Sequence, residues 1–463
     1  MRSLFVHAFI SICILFIAAC PAGNPTPGTV TEADALVETI DAIVMEALED
    51  GPTAATSIAV AQGSEIIVAK GYGYADVENE VPATAHTVYR LGSVTKQFTS
   101  VALMRLVETG EISLDDEITR FLPDYSTQGQ TVRVHHLLNH TSGIKSYTGL
   151  GEEFWGKSRL DLSHDDLVEM IADKPFDFAP GTGYAYNNSG YYLLGMILEE
   201  VTGDPYAEHL SETIFEPLGL EATSYCRNEP IIMHRAAGYA RREGELVNAE
   251  ILSMTSPFSA GALCSTVLDL VEWQRALNSN RLVDAATYER MITPETLADG
   301  APLTYGYGLS IGAIEGHAKI SHGGGINGFN TTLAYYPDDD VTIVVLANTE
   351  GANPGRVERL IARAVLDLPE PEVADLPIPA EEIARNVGTY ALGDLLLEVS
   401  EDDGRLVMQA TGQEALRLLY QGDHRFIASD DEGISVVFAA EGEVAGQLTV
   451  FQGGGVYEAQ RIE

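Results

Sequence analysis

The spacing of apolar positions changes several times along the chain, and each change marks an element. After Thr31, Leu36, Ile40, Val44 and Leu48 recur every fourth residue, which predicts an amphipathic first helix. The period then shortens. Segments 57–62 and 65–74 are β-rich and meet at Gly63-Ser64, a hairpin signal. Over 93–108, Val94, Phe98, Val101 and Val107 form a core-facing stripe, and Gly110 stands where a helix should stop, so Ser93 is expected to open a helix. Residues 111–300 read as mainly helical with many loops. Segments 319–324, 329–336 and 341–347 read as three strands with tight turns between them. Strands, then helices, then strands predict an α+β fold: an antiparallel sheet flanked by helices, with its terminal segments paired and a mainly helical lobe beside it.

The pattern also sets boundaries. Arg2, an almost wholly apolar run over 4–17, and Ala18-Ala19 before Cys20 read as an export signal over 1–19. Ile17-Ala18-Ala19-Cys20 resembles a bacterial lipobox, so Cys20 is expected to carry lipid and residues 20–31 to form a tether. The expected location is the periplasm or cell envelope, with a lipid anchor to a membrane. The apolar run is too short to span a bilayer, and no later stretch is longer. The first domain is expected over 32–365. Pro369, Pro371, Pro377 and Pro379 mark an acidic linker over 366–382. Across 383–463, short β-rich runs at 406–410, 434–440 and 447–452, with Asp403-Gly404, Glu432-Gly433 and Glu441-Gly442 nearby, predict a small antiparallel barrel or sandwich.

Charge narrows the function. The 27 Lys plus Arg against 68 Asp plus Glu give a net charge of −41, a field that repels phosphate backbones and excludes nucleic acid as an expected partner. Outside the leader only Cys226 and Cys264 remain. A disulfide between them is expected for an exported chain, although two buried free thiols fit the sequence equally well.

Three motifs carry chemistry. Ser93-Val94-Thr95-Lys96 places a hydroxyl and an amine three residues apart on one helical face, where a buried amine can lose its proton and activate the serine. Tyr186-Asn187-Asn188 lies in a glycine-rich loop that leads into the apolar run 193–197. Ser321-His322-Gly323-Gly324-Gly325-Ile326-Asn327-Gly328-Phe329 ends one strand and turns into the next, with glycines that let a peptide-like ligand lie along the edge. Gly323-x-Gly325-x-x-Gly328 formally matches a dinucleotide fingerprint, but a strand follows it instead of a helix. His136 and His140 stand four apart without the Glu of a zinc motif, and helix packing and capping explain them better. No cofactor and no metal are expected, and no Gly-x-Ser-x-Gly elbow surrounds Ser93.

With these motifs in this order, the chain resembles the serine β-lactamase and penicillin-binding-protein superfamily, nearest to class C β-lactamases, D-aminopeptidases, D-Ala-D-Ala carboxypeptidases and related esterases. Gly71-Tyr72-Gly73-Tyr74, Leu137-Leu138-Asn139-His140-Thr141-Ser142-Gly143 and Tyr305-Gly306-Tyr307-Gly308 extend the likeness over about 32–365, and the tail resembles the lipocalin-like barrel of some members. The resemblance implies Ser93 as the acylated nucleophile, Lys96 as its activator and Tyr186 as the acid and base for the leaving group and the water. It implies Asn188 and the His322–Gly324–Gly325 strand as substrate contacts, with the backbone N–H groups of Ser93 and Gly325 as an oxyanion hole. His322 stands where many relatives carry a lysine. A neutral imidazole there disfavours penicillin-like acids. The implied activity is acyl-enzyme hydrolysis of an ester, D-amino-acid peptide or amide. A β-lactamase or D-Ala-D-Ala carboxypeptidase is the alternative within the same chemistry. A penicillin sensor that stays acylated is the non-enzymatic one.

Overall fold

A computed structural model describes residues 31–462, apart from residues 50, 52, 370–372, 393–394, 411–414, 430, 441, 443 and 453–454. The predicted leader and Cys20 lie outside the described residues. The first domain is built on a seven-stranded antiparallel sheet in the spatial order Val81–Pro82, Glu65–Asp76, Ala55–Gln62, Val341–Ala347, Phe329–Tyr336, His317–Ile326 and Ser310–Ile314. The ends of the domain meet at its centre, where Thr56 pairs with Ala347 and Gln62 with Val341, as the strand–helix–strand order predicts.

Alternation in the central strand explains why both faces are covered. Ile343 and Val345 pack with Ile40 and Val44 of the first helix (Glu32–Glu49) and with Val357 and Ile361 of the helix Pro354–Val365. Val344 and Leu346 point the other way, into the main core with Phe98 and Leu333. A strand buried on both faces reads as the continuous apolar run seen at 341–347. The terminal helix is fastened to the sheet by Glu358, which is fully buried and accepts hydrogen bonds from Lys319 and from the Tyr336 hydroxyl.

The second core face holds the helix Thr95–Glu108, which is buried along most of its length; Phe98 stacks on Trp273 with ring centroids 3.8 Å apart. The middle of the chain is helical, as expected, but it also contains two small sheets that no periodicity announced. One of them, Tyr89–Arg90, Leu263–Ser265 and Ser224–Tyr225, leads straight into the Ser93 loop.

The expected disulfide is not formed: Cys226 and Cys264 are buried free thiols. Cys264 lies opposite Ser224, whose hydroxyl and carbonyl oxygens sit 3.7 Å from its sulfur, and the Cys226 amide bonds to the Ala262 carbonyl, so the two thiols lie on the same face as diagonal neighbours, in contact with each other.

The C-terminal domain is a closed barrel of eight antiparallel strands, completed where Tyr390 pairs with Arg461. Tyr390, Leu406, Phe426, Phe438 and Leu448 fill its interior. Part of the proline-rich stretch expected to be a linker is bound to this barrel. The Leu376 amide donates to the Tyr420 carbonyl, and the Gln421 side chain accepts from the Ala374 N–H through Oε1 and donates to the Ala374 carbonyl through Nε2. Proline holds the chain extended there, which suits strand-like docking. Among the described residues, no helix is long and apolar enough to cross a membrane.

Candidate active site

Ser93 sits in a single 3₁₀ turn, Gly92–Val94, and the α-helix proper starts at Thr95. Gly92 has φ +52°, and a Cβ there would stand 3.0 Å from the Gly325 nitrogen and oxygen. A Cβ on Gly324 would stand 2.0 Å from the Leu91 carbonyl oxygen. Bare backbone on both sides is therefore what lets the nucleophile turn press against strand His317–Ile326. Its outer neighbour, Ser310–Ile314, pairs only with residues 317–321. Among the described residues the Gly323–Ile326 stretch thus has no strand partner on that side, and this is the edge along which an extended ligand can lie.

Lys96 follows one turn after Ser93 and is fully buried. Its Nζ lies 3.1 Å from Ser93 Oγ, and it donates to Asn188 Oδ1 and to the Ala260 carbonyl, each at 2.8 Å. All three partners are uncharged. Burial pushes the ammonium well below the ordinary lysine range. The two carbonyl-type oxygens can only accept, so a neutral amine spends its two protons on them and turns its lone pair to the Ser93 hydroxyl.

Asn188 opens the helix Asn188–Thr202 and is held by the loop before it in space. Its amide N–H donates to Ser146 Oγ, its Nδ2 to Thr148 Oγ1, and the Ser189 hydroxyl bonds to the Lys145 carbonyl. Tyr186 lies just upstream. Its ring centroid is 4.8 Å from Lys96 Nζ, and its hydroxyl is buried near Ser93 without a fully formed hydrogen bond. Burial raises this phenol well above its ordinary value, and the nearby Ser93 offsets part of that rise.

His322 lies beside Tyr186, at 6.2 Å between ring centroids. Its Nδ1 lies 2.5 Å from the Gly323 carbonyl, which can only accept, so Nδ1 carries the proton and Nε2 accepts from the Tyr305 hydroxyl at 2.8 Å. Burial and, secondarily, Lys96 depress the imidazole to about 3. The ring is neutral and both nitrogens are engaged, so it has no free N–H for a substrate carboxylate.

Ser93, Asn188 and Gly325 share the wall of one cleft with Tyr147, Phe154 and Trp155; among the residues lining it there is no Asp, Glu, Lys, Arg or His. With Lys96 bonded to Ser93 and lying over the Tyr186 ring, the hydroxyl, the amine, the phenol and the glycine-lined strand converge. Three contributors were missed in the sequence. The Ala260 carbonyl belongs to the short helix Phe258–Gly261 and has no side-chain signature. Tyr305 lies in a motif noted only as support. His140 lies in another, and its position is taken up below. His136, by contrast, does act as a cap: its Nδ1 accepts from the Arg133 amide.

The sequence pattern of the Beta-lactamase family matches residues 40–368. The chain is 29% identical to a penicillin-binding protein of Bacillus subtilis (strain 168) over 88% of this chain and 95% of that one. It is 28% identical to a D-aminopeptidase of Gluconobacter oxydans (strain 621H), over 68% of this chain and 60% of that one. Among solved structures, the octameric penicillin-binding protein homologue from Pyrococcus abyssi superposes with a TM-score of 0.66 at 26% identity, covering 91% of this chain and 99% of that one. A D-amino acid amidase from Ochrobactrum anthropi SV3 gives 0.64 at 26% identity, covering 72% and 99%.

Proposed function

Because the chain belongs to the Beta-lactamase family, whose homologues here are penicillin-binding proteins, D-aminopeptidases and D-amino acid amidases of the serine acyl-enzyme hydrolase type, we propose that it hydrolyses an ester or amide through an acyl group carried on Ser93. The observation that carries this reading is the fully buried Lys96 amine, bonded only to neutral groups and 3.1 Å from Ser93 Oγ.

Burial moves both titratable groups away from charge, and that assigns the first proton. The neutral Lys96 amine takes the Ser93 proton as Oγ bonds to the substrate carbonyl carbon. The oxyanion forms toward the Ser93 and Gly325 backbone N–H groups. Tyr186, protonated at neutral pH, gives its proton to the leaving amine or alcohol as that bond breaks. The proton on Lys96 then passes to the phenolate. Both groups are thereby reset, and water repeats the sequence on the acyl-enzyme to release the acid and free Ser93.

The uncharged cleft and the engaged His322 favour substrates without a carboxylate beside the scissile bond, an ester or a D-amino-acid amide over a penicillin. Export through residues 1–19 and lipidation of Cys20 belong to the same proposal; fatty-acid labelling of cells that is equal in wild type and Cys20→Ala would remove the lipid anchor. For the enzyme, purified protein is treated with a fluorophosphonate and with 4-nitrophenyl acetate. Labelling at Ser93 together with many turnovers supports a hydrolase. Labelling without turnover makes the chain a sensor, and no labelling at Ser93 removes both readings.

A further inference from the structure

Tyr186 must hold its hydroxyl at Ser93 although it sits in an irregular loop, and the hydroxyl has no hydrogen bond strong enough to anchor it. The loop is anchored from behind by one residue. His140 receives the amide N–H on each side of Tyr186: Ala185 donates to its carbonyl at 3.1 Å, and Asn187 donates to its Nδ1 at 3.1 Å. Its ring also lies against the Tyr186 ring, at 4.3 Å between centroids and 46° between planes, with Tyr305 at 4.6 Å on another side.

The segment around His140 reinforces the grip. Gly181 donates to the Thr141 carbonyl, and the Asn187 side-chain amide reaches the Ile144 carbonyl. Asn187 also caps the helix Asn188–Thr202 by accepting from Gly190, so the anchor of Tyr186 and the placement of Asn188 are one device. His140 itself has φ +61°, a left-handed conformation uncommon for any residue but glycine, and a ring that is almost wholly buried. Strain of this kind persists where surrounding bonds fix it. Because Nδ1 accepts, the proton must sit on Nε2, which has no hydrogen-bond partner. The ring therefore gives up one satisfied nitrogen to keep the other on the Tyr186 loop.

We infer that His140 is the positioning residue for Tyr186, setting the phenol against Ser93 by bonding the backbone on both sides of it and backing its ring. It acts through Tyr186 and touches no reacting atom. The inference rests on the assignment of Tyr186 as the proton donor above.

The test uses the full chain and 4-nitrophenyl acetate, with His140→Ala and His140→Asn made alone and in Tyr186→Phe. Asparagine tolerates positive φ and places Oδ1 as many bonds from Cα as Nδ1, so it keeps the acceptor for Asn187 and loses only the ring. His140→Ala is expected to lower kcat about 10- to 100-fold with KM held within about twofold. His140→Asn should recover part of that loss, and in Tyr186→Phe the alanine change should cost less than about twofold more. An equal loss with and without the phenol, no loss at all, or an asparagine variant no better than alanine at matched melting temperature overturns the inference. If the alanine variant does not fold, the cycle is read with asparagine alone: a kcat loss that disappears in Tyr186→Phe supports the inference, and a loss that persists, or no loss, overturns it. Fluorophosphonate labelling of wild type separates the two levels: no label at Ser93 removes the underlying reading, whereas normal labelling with an unresponsive His140 series removes only the inference.

Discussion

Replacing Asn188 by Asp tests the charge state of Lys96 with almost no change of shape. The amide oxygen is 2.8 Å from Lys96 Nζ. A carboxylate oxygen at the same place attracts an ammonium by about 6 kcal/mol at an effective dielectric constant of about 20. At about 1.4 kcal/mol per pKa unit this is about 4 units. Burying the new carboxylate takes back part of the gain, so a rise of about 2 to 4 units is expected. Thr148 can accommodate the change, since its hydroxyl can donate to an Asp oxygen where it now accepts from Asn188 Nδ2. An opposite charge favours the protonated amine, and the proposed reaction needs the neutral one. The acid limb of kcat/KM therefore moves to higher pH by the same 2 to 4 units, and at any pH below the new limb activity falls about tenfold for each unit further down. Ester hydrolysis followed from pH 5 to 10 in both proteins reads this directly. A limb that stays in place, or moves to lower pH, refutes a neutral buried lysine as the base.

Other expectations follow from the same geometry. Tyr186→Phe should lower kcat by about 10² to 10⁴ while leaving Ser93 open to a fluorophosphonate, because a phosphonyl fluoride carries a leaving group that needs little protonation; loss of labelling as well would mean that the change disrupts the nucleophile. Gly324→Ala should drive a methyl group into the Leu91 carbonyl, 2.0 Å away, and lower stability by about 1 to 3 kcal/mol with a loss of activity, read by thermal melting. Tyr305→Phe strips the donor from His322 Nε2 and should cost about 1 to 3 kcal/mol by leaving a buried acceptor unpaired; an unchanged melting temperature would contradict the assigned tautomer. Alkylation of unfolded, unreduced protein should modify both Cys226 and Cys264, and protection of both until reductant is added would restore the disulfide.

Much of this site could be read from the chain because its anchors are local. Ser93 and Lys96 share one helical turn, and Tyr186 and Asn188 share one loop, so spacing alone places each pair. The sheet was legible for a similar reason: the two-sided burial of 341–347 leaves an uninterrupted apolar run. What spacing does not encode is contact across the chain. The Ala260 carbonyl that holds Lys96 is a backbone atom 164 positions away. The engagement of His322 depends on which side chain stands opposite Nε2, and the grip of His140 depends on a left-handed residue after a five-residue helix.

The proposed reaction requires that Ser93 carry the acyl group during turnover. Rapid acid quench of the protein with 4-nitrophenyl acetate, followed by intact mass and peptide mapping, measures this. One acetyl-sized increment is expected to form within the first turnover, to map to Ser93 and to be absent from Ser93→Ala, which also loses hydrolysis. Steady hydrolysis with no adduct on Ser93, or undiminished hydrolysis by Ser93→Ala, would contradict it.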